Sequence, residues 1–436
     1  MKKLWTIPLI ISFYFNLCCS SMDISKKSSI NHSKSIERYI EKINKANNLT
    51  LEEKAIFYGE DIEDLHLTQD NLIKYRIDAA SGEMNSKGDT GYHMGFYLSS
   101  LVYKYSVHKD DTTKNKIIRM VGAIHELHKI TGIPGLFARH FEKNQKKTTE
   151  SFFTSPTKEG YVYLGYVSCD QLIPIIDSYY NTVSLVNDNR LNEIIKQDVS
   201  ALLDHYILND FKLIEQNGKA CKYGKLSNRF NPIQNLFALY LFRTGYEITK
   251  DKKYLEVYSD LIKKNYHKHV KYAKFKLFNL ERHFNDPLLF EAIYRLIKLE
   301  SDKNISKEYY KFLEKIWSES SGEKNSFFIF MYNDIKRNNI ERKDALESLV
   351  LMPLNKIGYC KLNSKDPNIN TELVLTLGGF EYFTKEPLPM NQRPVSDSFM
   401  WSENPRQADY CREISKFTGI DYMIAYWFAR SKNLIP

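Results

Sequence analysis

The sequence predicts an all-α protein: helical hairpins in series, with long links between hairpins and at most one small β-hairpin. Two observations carry this prediction. From Gly91 onward one unit recurs, made of an aromatic-rich helix, a short charged turn and an amphipathic helix. It reads FYLSSLVYKYSVHKDDTTKNKIIRMVGAIHEL, then DSYYNTVSLVNDNRLNEIIKQDVSALLDHYI, then LFALYLFRTGYEITKDKKYLEVYSDLI. Strand signals, by contrast, are few. The best is FKLIEQNGKACKYG, where Asn217-Gly218 is a hairpin turn of the primed type.

Met1–Ser21, MKKLWTIPLIISFYFNLCCSS, has two lysines, an apolar run from Leu4 to Leu17 and then small residues. That is the pattern of a secretory signal, too short to span a bilayer comfortably. Acylation at Cys19 (or Cys18) would give a lipoprotein held at a membrane by its lipid anchor; cleavage after Ser20 or Ser21 would release the chain. Both routes place the protein outside the cytoplasm, in the cell envelope. Residues 22–436 read as one domain, in which 22–87 is an N-terminal helical segment (about Ser33–Ala46, then Leu51–Tyr58).

Each hairpin turn carries an aspartate, Asp110, Asp188 or Asp251, and helical apolar spacing resumes after it. In the first unit Ile117, Val121, Ile124 and Leu127 form the stripe of one buried face. Two further pairs follow, Pro287–Leu299 with Ser306–Ser318 and Ser326–Arg337 with Arg342–Met352. The N-terminal segment and a final helix from Asp421 supply a sixth. Antiparallel pairs in series either stack as an open solenoid or close as a ring. Links inside pairs are short, whereas His140–Ser168, Asn209–Asn231 and Lys268–Asp286 are long. Because direction alternates, the long links gather on one face with the N-termini of all the first helices. Irregular segments on a rigid scaffold are where sites are built.

At this point the hairpin series resembles the six-hairpin toroids of the glycosidase and polysaccharide-lyase type. The stretches GDTGYHMGFYLSSLVYKYSVHKDD, TGIPGLFARHF, YLGYVSCDQL, NQRPVSDSFMW and TGIDYMIAYWFAR also resemble a group of exported bacterial proteins with no assigned activity. The resemblance implies an (α/α)6 toroid and a place for the site. Enzymatic toroids share no single catalytic motif, so it assigns no residue a role.

Composition narrows the partners. The formal net charge is +9, but Lys and Arg are spread along the chain without a dense block, so no nucleic-acid partner is expected. Beyond the leader, Cys169, Cys221, Cys360 and Cys411 form no CxxC pair. HELH, His125 to His128, spaces its histidines three apart where a zinc-binding helix face needs four, so no metal is expected. With no GxGxxG, Walker loop or GxSxG elbow, no cofactor is expected either.

Two carboxylates stand immediately before first helices: Asp89 in KGDTGYH and Asp170 in SCDQ. Aspartate is also a favoured helix cap, so capping is the competing reading. Pro174 cannot donate to the Asp170 carbonyl, so the helix is expected to begin one residue later, leaving Asp170 outside it and aimed into the loop face. Thr90 would cap near Gly91 and release Asp89. Two carboxyl groups across a pocket are what glycoside hydrolysis requires, one delivering a proton and the other acting as base or nucleophile. Gln171, His93, Arg139, His140, Arg229 and Asn231 lie beside them in sequence or at the mouths of long links, and are candidates to orient substrate. Arg393, Asp397 and Trp401, in RPVSDSFMW, complete the set, with a salt bridge that ties down the tail as the plainer reading of Arg393 with Asp397. A hydrolase with Asp170 and Asp89 as catalytic pair leads. A lyase with a His or Tyr base, and an envelope protein that binds or scaffolds without catalysis, are the alternatives.

Overall fold

The computed structural model describes residues 49–436, except 85, 145–150, 227, 275–282, 359–360, 377–378, 394, 396–403 and 411–413. Met1–Ser21 with Cys19, the helix expected at Ser33–Ala46, and Cys360, Asp397, Trp401 and Cys411 lie outside the described residues.

Among the described residues, twelve helices of ten or more residues carry the fold. α1 (Leu51–Leu65) comes first and extends well past Tyr58. α2 (Thr90–His108) and α3 (Asp111–Lys129) form a hairpin, as do α4 (Cys169–Leu185) and α5 (Asn189–Leu208). α6 (Pro232–Thr249) pairs with α7 (Lys252–Lys263), α8 (Asp286–Leu299) with α9 (Lys303–Ser320), and α10 (Ser326–Lys336) with α11 (Arg342–Leu351). α12 (Ile420–Ser431) packs on α1, so the two ends of the chain make the sixth hairpin. Contacts run α2–α4–α6–α8–α10–α12 and back to α2, closing the ring. The open-solenoid alternative is thereby removed.

Local chemistry explains the hairpins. The turns reverse through left-handed residues, Lys109, Asn187, Lys250 and Arg337. Asp110, Asp188, Asp251 and Asp302 then accept backbone N–H bonds at the starts of α3, α5, α7 and α9. Each such cap is worth roughly 1 kcal/mol. The inner helices are walled on every side: α8 buries all residues from Asp286 to Ile297 and α12 all from Ile420 to Ala429. The outer α7 buries only Tyr254, Tyr258 and Leu261, the single stripe of an amphipathic helix.

α4 begins earlier than its sequence suggests. Its first residue is Cys169, after an extended Ser168, so Asp170 lies inside the first turn rather than before the helix. Pro174 costs one hydrogen bond, the one its missing N–H would give to the Asp170 carbonyl, and does not bar the turn upstream. Its neighbour across the helix interface is Gly95 on α2. A Cβ there would stand 2.4 Å from the Pro174 carbonyl carbon, so only glycine lets the two inner helices approach this closely.

The β content exceeds a single hairpin. The hairpin at Asn217-Gly218 is present as β5 (Lys212–Ile214) and β6 (Ala220–Lys225). Among the described residues, four more small sheets are built from segments that link the hairpins. β2 (His140–Lys143), β3 (Phe152–Thr154) and β4 (Tyr161–Leu164) pair in the order β2-β4-β3 within the α3–α4 link. β1 (Arg76–Asp78), β12 (Ser415–Phe417) and β7 (Ile357–Gly358) tie the segment before α2 to the one before α12. β8 (Lys361–Leu362) pairs with β11 (Asp409–Tyr410), and β9 (Thr371–Thr376) with β10 (Gly379–Thr384).

Candidate active site

Every inner helix opens with an acid or its amide on the link face. Asp89 precedes α2, Asp170 is second in α4, Asn231 precedes α6, Asp286 opens α8, Asn325 precedes α10 and Asp421 is second in α12. Their fates differ. Asn231 and Asn325 cap their helices, each accepting two backbone N–H bonds. Asp286 is buried against Lys274 at 2.8 Å and Asp421 against Lys356 at 2.7 Å. Asp89 accepts from Arg139 Nη2 at 3.1 Å. Asp170 alone has no cation at ion-pair distance among the described residues; its Oδ1 accepts from the Gln171 backbone N–H at 2.9 Å.

The two candidate carboxyls share their surroundings. Gln171, fully buried, donates through Nε2 to Asp89 Oδ1 at 3.1 Å and accepts through Oε1 from the Tyr92 backbone N–H. A side chain at Gly91 would strike Phe137 at 2.8 Å and Gln171 Oε1 at 3.0 Å, so the α2 backbone lies directly on this amide. Arg139 also donates through Nε to the Gly88 carbonyl at 2.6 Å, which fixes its guanidinium beside Asp89. Asp89 sits at the N-cap position of α2 but makes no capping bond, and its side chain is 44% exposed. The released carboxylate expected there is present, although Thr90 is the first helical residue rather than the cap.

The half-buried Asp170 carboxyl is pushed above the ordinary aspartate range, chiefly by burial. The Ser168 hydroxyl and the Arg139 charge pull the other way, and the Asp89 charge adds to the rise. A helix N-terminus by itself favours the ionised form. Here desolvation outweighs it.

The remaining candidates divide. His140, on β2, is buried and shares a hydrogen bond between Nδ1 and Thr90 Oγ1 at 3.1 Å. Burial, with Lys87 nearby, lowers its pKa to about 3, so the ring is neutral. His93 is buried in the wall, stacked on Tyr75 at 4.4 Å. Both lie next to the Asp89 site without opening onto it. Arg229 is exposed, with its guanidinium 4.8 Å from the Phe230 ring. Asn231 is occupied as the cap of α6. Arg393 is buried and donates to the Leu388 carbonyl at 2.8 Å and the Glu323 carbonyl at 2.7 Å, which ties down the link before α12. Asp397 and Trp401 lie outside the described residues. The histidines of HELH serve structure as well: His125 Nδ1 is 2.7 Å from Asp198, which also accepts from Tyr179, and His128 is buried against Phe137.

One buried acid in the link between α5 and α6 escaped sequence reasoning. Glu215, just past β5, is buried, accepts from the Tyr166 backbone N–H and from Cys221 Sγ, and is raised by burial. It lies directly under Gly165, where a Cβ would come within 2.8 Å of its carboxylate. Only its place two residues before the Asn217-Gly218 turn could have drawn attention to it.

No family model and no curated protein match the sequence. Solved structures do show the fold. A GH76 alpha-mannanase of Bacteroides thetaiotaomicron is similar with a TM-score of 0.51 and 12% identity, over 89% of this chain and 97% of that one. A family 76 glycoside hydrolase from a bovine strain of the same species gives 0.49 and 10%, over 87% and 78%. An unsaturated glucuronyl hydrolase specific for heparin gives 0.34 and 10%, over 92% and 98%. At such identities the likeness concerns the fold alone: the chain is an (α/α)6 toroid of the kind found in glycosidases.

Proposed function

We propose that the protein is a carbohydrate-active enzyme, a glycoside hydrolase in which Asp170 is the general acid and Asp89 the second carboxylate. The carrying observation is Asp170 itself: a half-buried carboxyl, raised by burial and without an ion pair among the described residues, at the link face of a glycosidase-like toroid. A protonated Asp170 would give its proton to the glycosidic oxygen as the bond to the anomeric carbon breaks. Asp89, oriented by Arg139 and Gln171, would either take a proton from the attacking water or bond to the anomeric carbon, giving inversion or retention respectively. The substrate is a glycan of the envelope or the surroundings. Burial of His93 and His140 in the wall favours this reading over elimination by a histidine base.

The test is turnover on a panel of glycans by wild type and Asp170→Asn. New reducing ends that disappear in the variant, with substrate binding retained, support the reading. Products that carry the ultraviolet absorbance of an unsaturated sugar would mean a lyase. Binding without turnover in either protein would mean an envelope binder or scaffold. Export belongs to the same proposal, with acylation at Cys19 as the anchor. Membrane fractionation of wild type and Cys19→Ala tests it, the variant being expected in the soluble fraction.

A further inference from the structure

Folding gathers a basic and aromatic surface that the even spread of charge along the chain conceals. Residues 216–231 include Lys219, Lys222, Lys225 and Arg229, and residues 263–274 include five lysines; neither stretch contains an aspartate or glutamate. Lys263 pairs with Asp260, and Lys274 is buried against Asp286. Among the described residues, the other cations of these stretches pair with no carboxylate. Three of them each lie over the ring that follows in sequence. Lys222 is 4.9 Å from the Tyr223 ring, Arg229 4.8 Å from Phe230 and Lys271 5.1 Å from Tyr272. The three rings are 63%, 77% and 55% exposed, which sets them apart from the buried aromatics of the inner helices.

The two stretches meet at the start of α6. Asn235 Nδ2 donates to the Arg229 carbonyl at 2.9 Å and lies 3.5 Å from His269 Nδ1, in the short helical turn Tyr266–His269. The first stretch also packs against the start of α4. Cys169, next to Asp170, directs its Sγ at the Lys225 carbonyl at 3.8 Å, and β6 packs on α4.

We propose that this surface binds an anionic polysaccharide and sets the substrate class of the site at Asp170; the second clause rests on the hydrolase reading above. The rings offer flat apolar faces to the C–H faces of sugar rings. The ammonium and guanidinium groups meet carboxylate or sulfate, the guanidinium in a two-pronged fashion. A neutral glycan would leave a concentrated positive field unanswered. A single-stranded nucleic acid would suit the same charges and rings. Its attachment to the helix that carries Asp170 favours the glycan.

The experiment measures binding of the full mature chain to matched pairs: polygalacturonate and its methyl ester, dextran sulfate and dextran, with a single-stranded oligonucleotide alongside. At least one charged polymer is expected to bind while its neutral counterpart does not, and the affinity should fall steeply with salt. Carboxylate and sulfate are told apart by which pair responds. Joint charge reversal by Lys222→Glu, Arg229→Glu and Lys271→Glu is expected to weaken binding at least about tenfold. Joint Tyr223→Ala, Phe230→Ala and Tyr272→Ala, which leaves the charges in place, is expected to weaken it about threefold to tenfold. Equal binding of charged and neutral members, or no response to charge reversal, would overturn the proposal. So would preference for the oligonucleotide. Asp170→Asn separates the two readings. Charge-dependent polysaccharide binding without cleavage by wild type leaves this surface standing and removes the hydrolase. Asp170-dependent cleavage of a neutral glycan without polyanion binding does the reverse.

Discussion

Asp170 and Asp177 stand on one helix, seven residues and so two turns apart on the same face, yet their surroundings are opposite. Asp177 is buried in the ring, held by Arg295 through Nε at 2.9 Å and Nη2 at 3.1 Å, and by Asn181 at 2.8 Å. Arg295 also donates to Asn181 Oδ1 at 2.6 Å and stacks 4.0 Å from the Tyr180 ring. Nearby Glu291 is buried as well, and burial together with the Asp177 charge holds its carboxyl well above the ordinary range. Asp170 has burial but, among the described residues, no cation at ion-pair distance. A carboxylate that is buried and held in two-pronged fashion by a guanidinium, as Asp177 is, is committed to the architecture. One raised by desolvation and left unpaired can hold a proton and release it.

The sharpest way to break this contrast is to remove each acid's defining feature. Asp170→Asn is expected to lower turnover by about 10²–10⁴-fold, the usual scale of general-acid catalysis. Its unfolding midpoint should stay level or rise, because a desolvated acid without an ion pair is replaced by a neutral isostere. Arg295→Met is expected to do the converse inside the ring. It leaves Asp177 buried without its cation, at a cost of about 3–5 kcal/mol in denaturant unfolding. If both variants unfold alike, Asp170 is merely structural.

A milder change sharpens the electrostatics. Arg139→Gln removes a positive charge that lowers the Asp170 pKa, so the pKa should rise further. A reaction that needs protonated Asp170 loses rate as pH climbs through that pKa. The alkaline limb of kcat/KM should therefore move to higher pH in the variant, while the maximal rate falls because Asp89 loses its anchor. His140 supplies a stability counterpart. Its folded pKa is depressed to about 3, so between the unfolded value near 6.5 and about 3 the unfolded chain binds the extra proton. Stability is lost as pH falls through that window, and His140→Leu should flatten the slope there. The smallest expected effect separates two residues at the same helix position. Asn231→Ala removes a working cap and should cost about 1 kcal/mol, whereas Asp89→Ala removes none from α2.

What could be read from the sequence was what is local. Asp110, Asp188 and Asp251 cap the helices they precede, and Asn217-Gly218 turns the hairpin it announces, because each acts within a few residues. The pairing of the final helix with the first was legible from parity. Long-range partners were not. Arg295 meets Asp177 across 118 residues, and Lys416 meets Asp61 across 355, with nothing in either neighbourhood to announce the other. The start of α4 was misread for a similar reason. Pro174 looks like a boundary in isolation, and the glycine that accommodates it, Gly95, lies on another helix. Strands of two to four residues in the links carry too little period to be seen. Gln171 meets Asp89 because α2 and α4 are neighbours in the ring, and Arg139 meets it from the link after α3. Arg393 is remote from that meeting in its contacts, its charge spent on backbone carbonyls within its own link and at Glu323.

Carbon-13 titration of the aspartate carboxyls, with Asp170→Asn used to assign the signal, addresses the proton on Asp170 without requiring a known substrate. A resonance absent from the variant should titrate clearly above the free-aspartate value of about 3.9, and higher still in Arg139→Gln. A midpoint at or below that value would show that the fold does not raise the Asp170 carboxyl and would leave the site without its acid.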